Sequence, residues 1–138
     1  MAYLLDTCLL SEIWKASPNP GVVDWLGRSD EDQLFLSVLT LGELKKGIER
    51  LDTGRKKQRL LRDYGRLRSR FSSRILAVTD VVAERWGELT ANALRAGRHV
   101  HVVDGLVGAT ALVFGLTVVT RNVSDFAMTT ATVENPWT

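Results

Sequence analysis

The chain has 138 residues, 45% hydrophobic and 25% charged, with a net charge of +2. That length fits one domain and gives a core that needs no staples, while the composition excludes a disordered chain. Cys8 is the only cysteine, which excludes an internal disulfide and suits a reducing cytoplasm. No apolar stretch approaches a membrane span, and Met1 to Asp6 lacks the basic region of a signal peptide, so neither is expected. The sequence pI near 8.9 permits an anionic partner without requiring one.

Residues 2–5 form a short apolar run ending at Asp6, the pattern of a strand buried on both faces. A helix is expected over 7–16, then a breaker at Ser17 to Gly21, a short amphipathic helix over 22–28 and a polar turn. Residues 33–37 read as a second buried strand and 39–52 as a helix closed by Gly54. Leu60, Leu61, Tyr64, Leu67 and Phe71 give 55–72 an apolar helical stripe, with Arg and Lys crowding its other face. A third strand over 75–78 leads to Thr79 or Asp80 as the cap of a helix reaching about residue 96. After a loop over 97–101, Val102 and Val103 lead into Asp104, and a small-residue helix over 104–114 stops at Gly115. A fourth strand occupies 116–120, and an edge strand is expected near 131–133. Alternating strands and helices predict an α/β fold, a parallel sheet covered on both faces.

In such folds function gathers beyond the carboxyl ends of the strands. Asp6 follows strand one, Glu43 lies early in the helix after strand two, Asp104 opens a later helix, and Asp125 follows strand four. Two carboxylates about 5 Å apart repel by roughly 3 kcal/mol at an effective dielectric of 20. Shared protons or a bound cation relieve that repulsion, and hard oxygen donors select Mg²⁺, Mn²⁺ or Ca²⁺. Thr7, Ser11, Thr120 and Asn122 are the candidates to orient a water or phosphate, and Arg121 to contact a phosphate. Taken singly, each acid or threonine after a strand also reads as a helix cap.

The motifs resemble those of PIN-domain nucleases. Leu4-Leu5-Asp6-Thr7-Cys8 is similar to their opening motif, and Leu39-Thr40-Leu41-Gly42-Glu43-Leu44 to the second. Val103-Asp104-Gly105-Leu106 resembles the third, and Val119-Thr120-Arg121-Asn122 through Asp125-Phe126, with Asn135-Pro136-Trp137, the fourth and the tail. The likeness spans nearly the whole chain, 1–138, as one domain, and is strongest to the VapC-like and FitB-like toxins of toxin–antitoxin pairs. It implies a four- to five-stranded parallel sheet flanked by helices, a homodimer, and an Mg²⁺- or Mn²⁺-dependent endoribonuclease restrained by a cognate antitoxin. It also implies metal-site roles for Asp6, Glu43, Asp104 and Asp125. Cys8 stands where many members carry Asn, and Asn122 where some carry an acid, so Asn122 and Asp125 are alternatives for the fourth ligand.

The apolar faces of 22–28 and 39–52, with Trp25 and Ile48, are the expected seat of an antitoxin, against plain burial as the alternative. His99 and His101 read as loop residues, and Cys8 as a small hydrophobe rather than a nucleophile. The basic run from Arg55 to Arg74 reads either as a solvated helix face or as a phosphate track. A phosphorylated receiver domain needs paired acids after strand one and a lysine after the last core strand, and neither is present. A dehalogenase-like phosphatase needs a second Asp where Cys8 stands. A non-catalytic RNA-binding module and a DNA-directed nuclease remain as alternatives.

Overall fold

The computed structural model describes all of residues 1–138. Five strands form one parallel sheet in the order β3-β2-β1-β4-β5. They are β1 (Tyr3–Leu5), β2 (Leu34–Ser37), β3 (Ile75–Leu76), β4 (Thr117–Val119) and β5 (Val133–Glu134). Leu4 pairs with Phe35 on one side and Val118 on the other, which puts β1 at the centre. Side chains alternate across a strand. Leu5 and Val119 therefore enter one apolar cluster, with Leu9, Trp25, Leu36, Leu44 and Phe71. Leu4 and Val118 enter another, with Val107, Ala111 and Phe126. Both faces are covered, as the non-alternating apolar runs predict.

The helices are α1 (Thr7–Ile13), α2 (Pro20–Arg28), α3 (Val38–Glu49), α4 (Arg55–Arg70), α5 (Asp80–Arg95) and α6 (Val102–Phe114). Asn19 caps α2 ahead of a proline at the first helical position, where the missing N–H costs nothing. Thr79, not Asp80, caps α5, accepting from the Val82 N–H. Gly115 ends α6 at φ 66°, a left-handed conformation that glycine adopts without a Cβ penalty.

Several boundaries differ from expectation. α1 stops at Ile13, three residues early, and β3 and β4 are shorter than their apolar runs. Val102 and Val103 belong to α6 rather than to the approach. β-Branched residues resemble an extended lead-in, but they also fit a helix's first turn, where the preceding turn that crowds them is absent. Asp104 is consequently a first-turn residue. A 3₁₀ stretch, Val123–Thr129, follows β4, a feature too aperiodic to read from sequence, and β5 falls slightly later than 131–133. Trp25 and Ile48 are 6% and 4% exposed, so plain burial, not a free apolar face, accounts for them. Trp25 stacks edge-on to Tyr3 at 5.0 Å and donates to Glu134 at 3.2 Å.

Gly108 sets the seat of the 3₁₀ stretch. A Cβ there would lie 2.6 Å from the Cβ of Thr129. Overpacking of this kind costs about 1–3 kcal/mol, against a helix-propensity gain of about 1 kcal/mol for Ala over Gly. Thr129 is fully buried and cannot swing away. Gly108→Ala is therefore expected to lower stability in urea denaturation; an unchanged midpoint would show that the segment shifts freely.

Candidate active site

The sheet order reverses between β1 and β4, and the crevice at such a point is where open α/β sheets bind ligands. Asp6 stands there with extended backbone at the end of β1 and is 7% exposed. It caps α1, with Oδ1 accepting from the Thr7 N–H at 2.9 Å. Its Oδ2 accepts from the Thr120 hydroxyl at 2.8 Å, across the strand junction. Burial pushes the Asp6 carboxyl up, the Thr120 and Thr7 hydrogen bonds pull it back, and Glu43 raises it again. The cap reading and the site reading thus describe one residue: one oxygen caps, and the other is fixed from β4.

Glu43 lies in the second turn of α3, and its Oε1 accepts from the Thr7 hydroxyl at 2.8 Å. Asp104 is half-buried at the start of α6, and its carboxyl is pushed up to about 6. Burial is the largest cause, followed by the charges of Asp6, Asp125 and Glu43, with His101 a small opposing influence. Asp125 is exposed on the 3₁₀ stretch. The fold thus brings four acids from separated segments into one field centred on Asp104. They are not packed into a ready-made cage: no three His, Cys, Asp or Glu side chains are gathered tightly enough to enclose an ion.

That loose, all-oxygen set fits a hard divalent cation. Mg²⁺ keeps several waters and takes only one or two protein carboxylates, whereas zinc favours Cys and His in a closed tetrahedron. A cation also offsets the burial and the neighbouring charges that raise the Asp104 carboxyl. Cys8 does not argue for a softer metal. Its Sγ lies 3.3 Å from Thr120 Oγ1 and 3.7 Å from Asp6 Oδ2, and burial pushes the thiol up, away from the thiolate that binds metals.

The remaining candidates fall into two groups. Thr120 is fully buried with its hydroxyl on Asp6, so it positions that acid rather than meeting a substrate. Thr7 likewise spends its hydroxyl on Glu43. Asn122 and Arg121 are exposed beside the crevice, and the Arg121 guanidinium sits 5.5 Å over the Trp137 ring. Thr7, Ser11 and Glu43 line a cavity of about 500 Å³ that runs between α1, α3 and α4. His99 and His101 are exposed with rings 6.2 Å apart.

Glu12 is a residue that sequence reasoning passed over. It is buried and accepts from Lys15 Nζ at 3.0 Å, the Asn19 N–H at 2.9 Å and Trp137 Nε1 at 3.4 Å. Lys15 and these donors hold its carboxyl below the usual range. Glu12 thereby ties α1 to the start of α2 and to the tail. The signal available was an acid at an inward position of an amphipathic helix, which demands partners when buried.

The match to the PIN domain model covers residues 3–128, and the chain belongs to the PIN-domain family. Toxin FitB of Neisseria gonorrhoeae is 35% identical over 138 residues, with 97% of each chain covered. VapC ribonuclease Y4jK of Sinorhizobium fredii is 30% identical over 135 residues, covering 97% of this chain and 96% of the relative. The crystal structure of FitAcB from Neisseria gonorrhoeae superposes with a TM-score of 0.90 at 34% identity, over 98% of each chain. The fold, a five-stranded parallel sheet between helical layers, agrees with that family.

Proposed function

We propose that the chain is an endoribonuclease dependent on Mg²⁺ or Mn²⁺, acting as the toxin of a toxin–antitoxin pair. The observation that carries the reading is the convergence of Asp6, Glu43 and Asp125 on Asp104, whose carboxyl they help to raise to about 6. A chain with no ion to bind would gain by losing that repulsion. The relatives named as a VapC ribonuclease and as toxin FitB support RNA as substrate and the toxin role.

Asp6, Asp104, Glu43 and Asp125 would hold the ion, one or two of them directly and the others through its waters. When bound, it supplies Lewis acidity toward a phosphoryl oxygen and lowers the pKa of a water. The protein's own part is orientation. Thr120 and the Thr7 N–H hold both oxygens of Asp6, and the Thr7 hydroxyl holds Glu43. Such supporting hydrogen bonds are worth about 10–100-fold in metal affinity or activity. Exposed Arg121 and Asn122 border the crevice and are placed to meet a phosphate, and Ser11 lines the adjoining cavity. No helix is long and apolar enough to cross a membrane. We assign the chain to the cytoplasm, as a homodimer restrained by a cognate antitoxin.

The test is incubation of the purified protein with total RNA and with single-stranded DNA, followed by mapping of new ends. Cleavage of RNA with added Mg²⁺ or Mn²⁺, its loss in excess EDTA and its return on adding metal back are the expected results. Undiminished cleavage in chelator would require a different chemistry, and cleavage of DNA alone would move the substrate.

A further inference from the structure

We propose that the outer face of α4 is a phosphate track that carries single-stranded RNA to the carboxylate site, an inference that rests on the nuclease reading above. α4 holds eight basic residues and one acid, Asp63, whereas the other 122 residues hold ten basic and fifteen acidic side chains. The positive charge of the molecule is therefore concentrated on a single helix.

Its arrangement is linear. Arg55, Arg59, Arg62 and Arg66 recur at i, i+4, i+7 and i+11, which places them on one stripe. At 1.5 Å per residue the stripe is about 16 Å long. All four are exposed. Arg55, Arg59 and Arg62 take part in no ion pair, nor does the neighbouring Lys56; Arg66 has only Asp63 at 3.4 Å, itself on the helix. Unneutralised arginines whose planar forks match phosphate geometry are costly to align without an anion to meet them.

The stripe also leads to the site. Lys56 and Arg59 line the same cavity as Thr7, Ser11 and Glu43, as does Lys15, which is paired with Glu12. A strand of RNA lying along Arg66, Arg62 and Arg59 therefore passes into that cavity and reaches Glu43, the acid that lines it. The carboxylates repel a polyanion, so basic groups at the approach are what bring it there.

An acidic protein segment is the other polyanion such a face could meet. The outer stripe favours nucleic acid, because the hollow formed by Arg62, Gly65, Arg66, Ser69 and Arg70 contains no hydrophobic residue; apolar side chains, among them Trp14, Leu44 and Leu60, enter only in the cavity at its end. Stable protein interfaces rely on buried aromatic or aliphatic anchors, whereas phosphate contacts need none.

The experiment measures binding in EDTA, where cleavage cannot complicate it, with a fluorescein-labelled single-stranded RNA of mixed sequence. Wild type is compared with the triple variant Arg55→Gln, Arg59→Gln, Arg62→Gln and with a charge-matched control, Arg28→Gln, Arg85→Gln, Arg95→Gln, on α2 and α5. Circular dichroism checks that both fold. Each lost phosphate contact flattens the dependence of log K on log salt by about 0.7. The α4 triple should lose about 2 in slope and at least about tenfold in affinity at 100 mM salt, with the control near wild type. Equal losses in both triples, or wild-type binding by the α4 triple, would overturn the track. So would a polyglutamate peptide that binds wild type as tightly as the RNA and loses binding in parallel. If wild type binds with the expected slope but cuts no RNA when metal is restored, the nuclease reading fails and the track stands.

Discussion

Asp104→Asn is expected to reduce RNA cleavage at least about a thousandfold while leaving a folded protein. Lewis-acid stabilisation of the developing charge is worth several kcal/mol, and each 1.36 kcal/mol is tenfold in rate. Asparagine keeps the shape and one neutral oxygen but removes the charge that would hold the ion. The same substitution makes a second, opposite prediction for stability. The Asp104 carboxyl is raised to about 6 in the fold, against about 3.9 in an unfolded chain. Between those values the native state binds the proton more tightly, so the contribution of Asp104 to stability falls as pH rises from about 4 through about 6. Asparagine has no such loss. In chelator the variant should therefore gain on wild type across that window, by about 1–2 kcal/mol after allowance for partial exposure, and the gap should level off above pH 7. Full cleavage by a folded Asp104→Asn protein would remove Asp104 from the site, and a pH-independent gap would show that burial and the neighbouring acids do not raise its carboxyl.

Expression of the chain alone should arrest growth, Asp6→Asn should relieve the arrest, and light scattering should report twice the chain mass. An unrestrained ribonuclease in the compartment that holds the messenger pool is toxic, so an inhibitor must accompany it. The acids offer that inhibitor an obvious handle, since an arginine can pair with two carboxylate oxygens in a fork and take the place of the cation. Asp6 is the suitable residue to change because both of its oxygens are fixed, by Thr7 and Thr120. Asn can still accept from one of them, which keeps the crossing between β1 and β4. A monomer that host cells tolerate at high level with all four acids intact would refute the toxin role while leaving the nuclease reading open.

The central strands were legible because Leu4, Leu5, Val118 and Val119 form unbroken apolar runs. A strand buried on both faces leaves no other pattern. The acids were legible for a different reason: Asp6 and Asp125 follow such runs, and strand ends are where parallel sheets place their chemistry. Asp104 was placed with less accuracy, since the valines before it read as a lead-in to the helix but fold as the first turn of α6. What sequence could not show is which side chain each polar group spends its hydrogen bonds on. Thr7 and Glu43 are 36 positions apart, and Thr120 and Asp6 are 114 apart. Nothing local marks those threonines as supports for carboxylates rather than contacts for a phosphate. Trp25 read as a candidate seat for a partner because the tail and the second sheet edge that cover it lie far away in sequence. The burial of Trp25 depends on segments distant in the chain, among them Glu134 and Trp137.

The most direct test is a titration of Mn²⁺ into the metal-free protein, followed by the loss of the free-ion electron paramagnetic resonance signal. This reads the carboxylates without relying on any substrate. Wild type should quench the signal saturably, Mg²⁺ should compete, and Asp104→Asn should bind more than tenfold more weakly. Equal binding by wild type and Asp104→Asn, or no binding by a wild-type protein that still cuts RNA, would contradict the assignment of these acids to a metal centre.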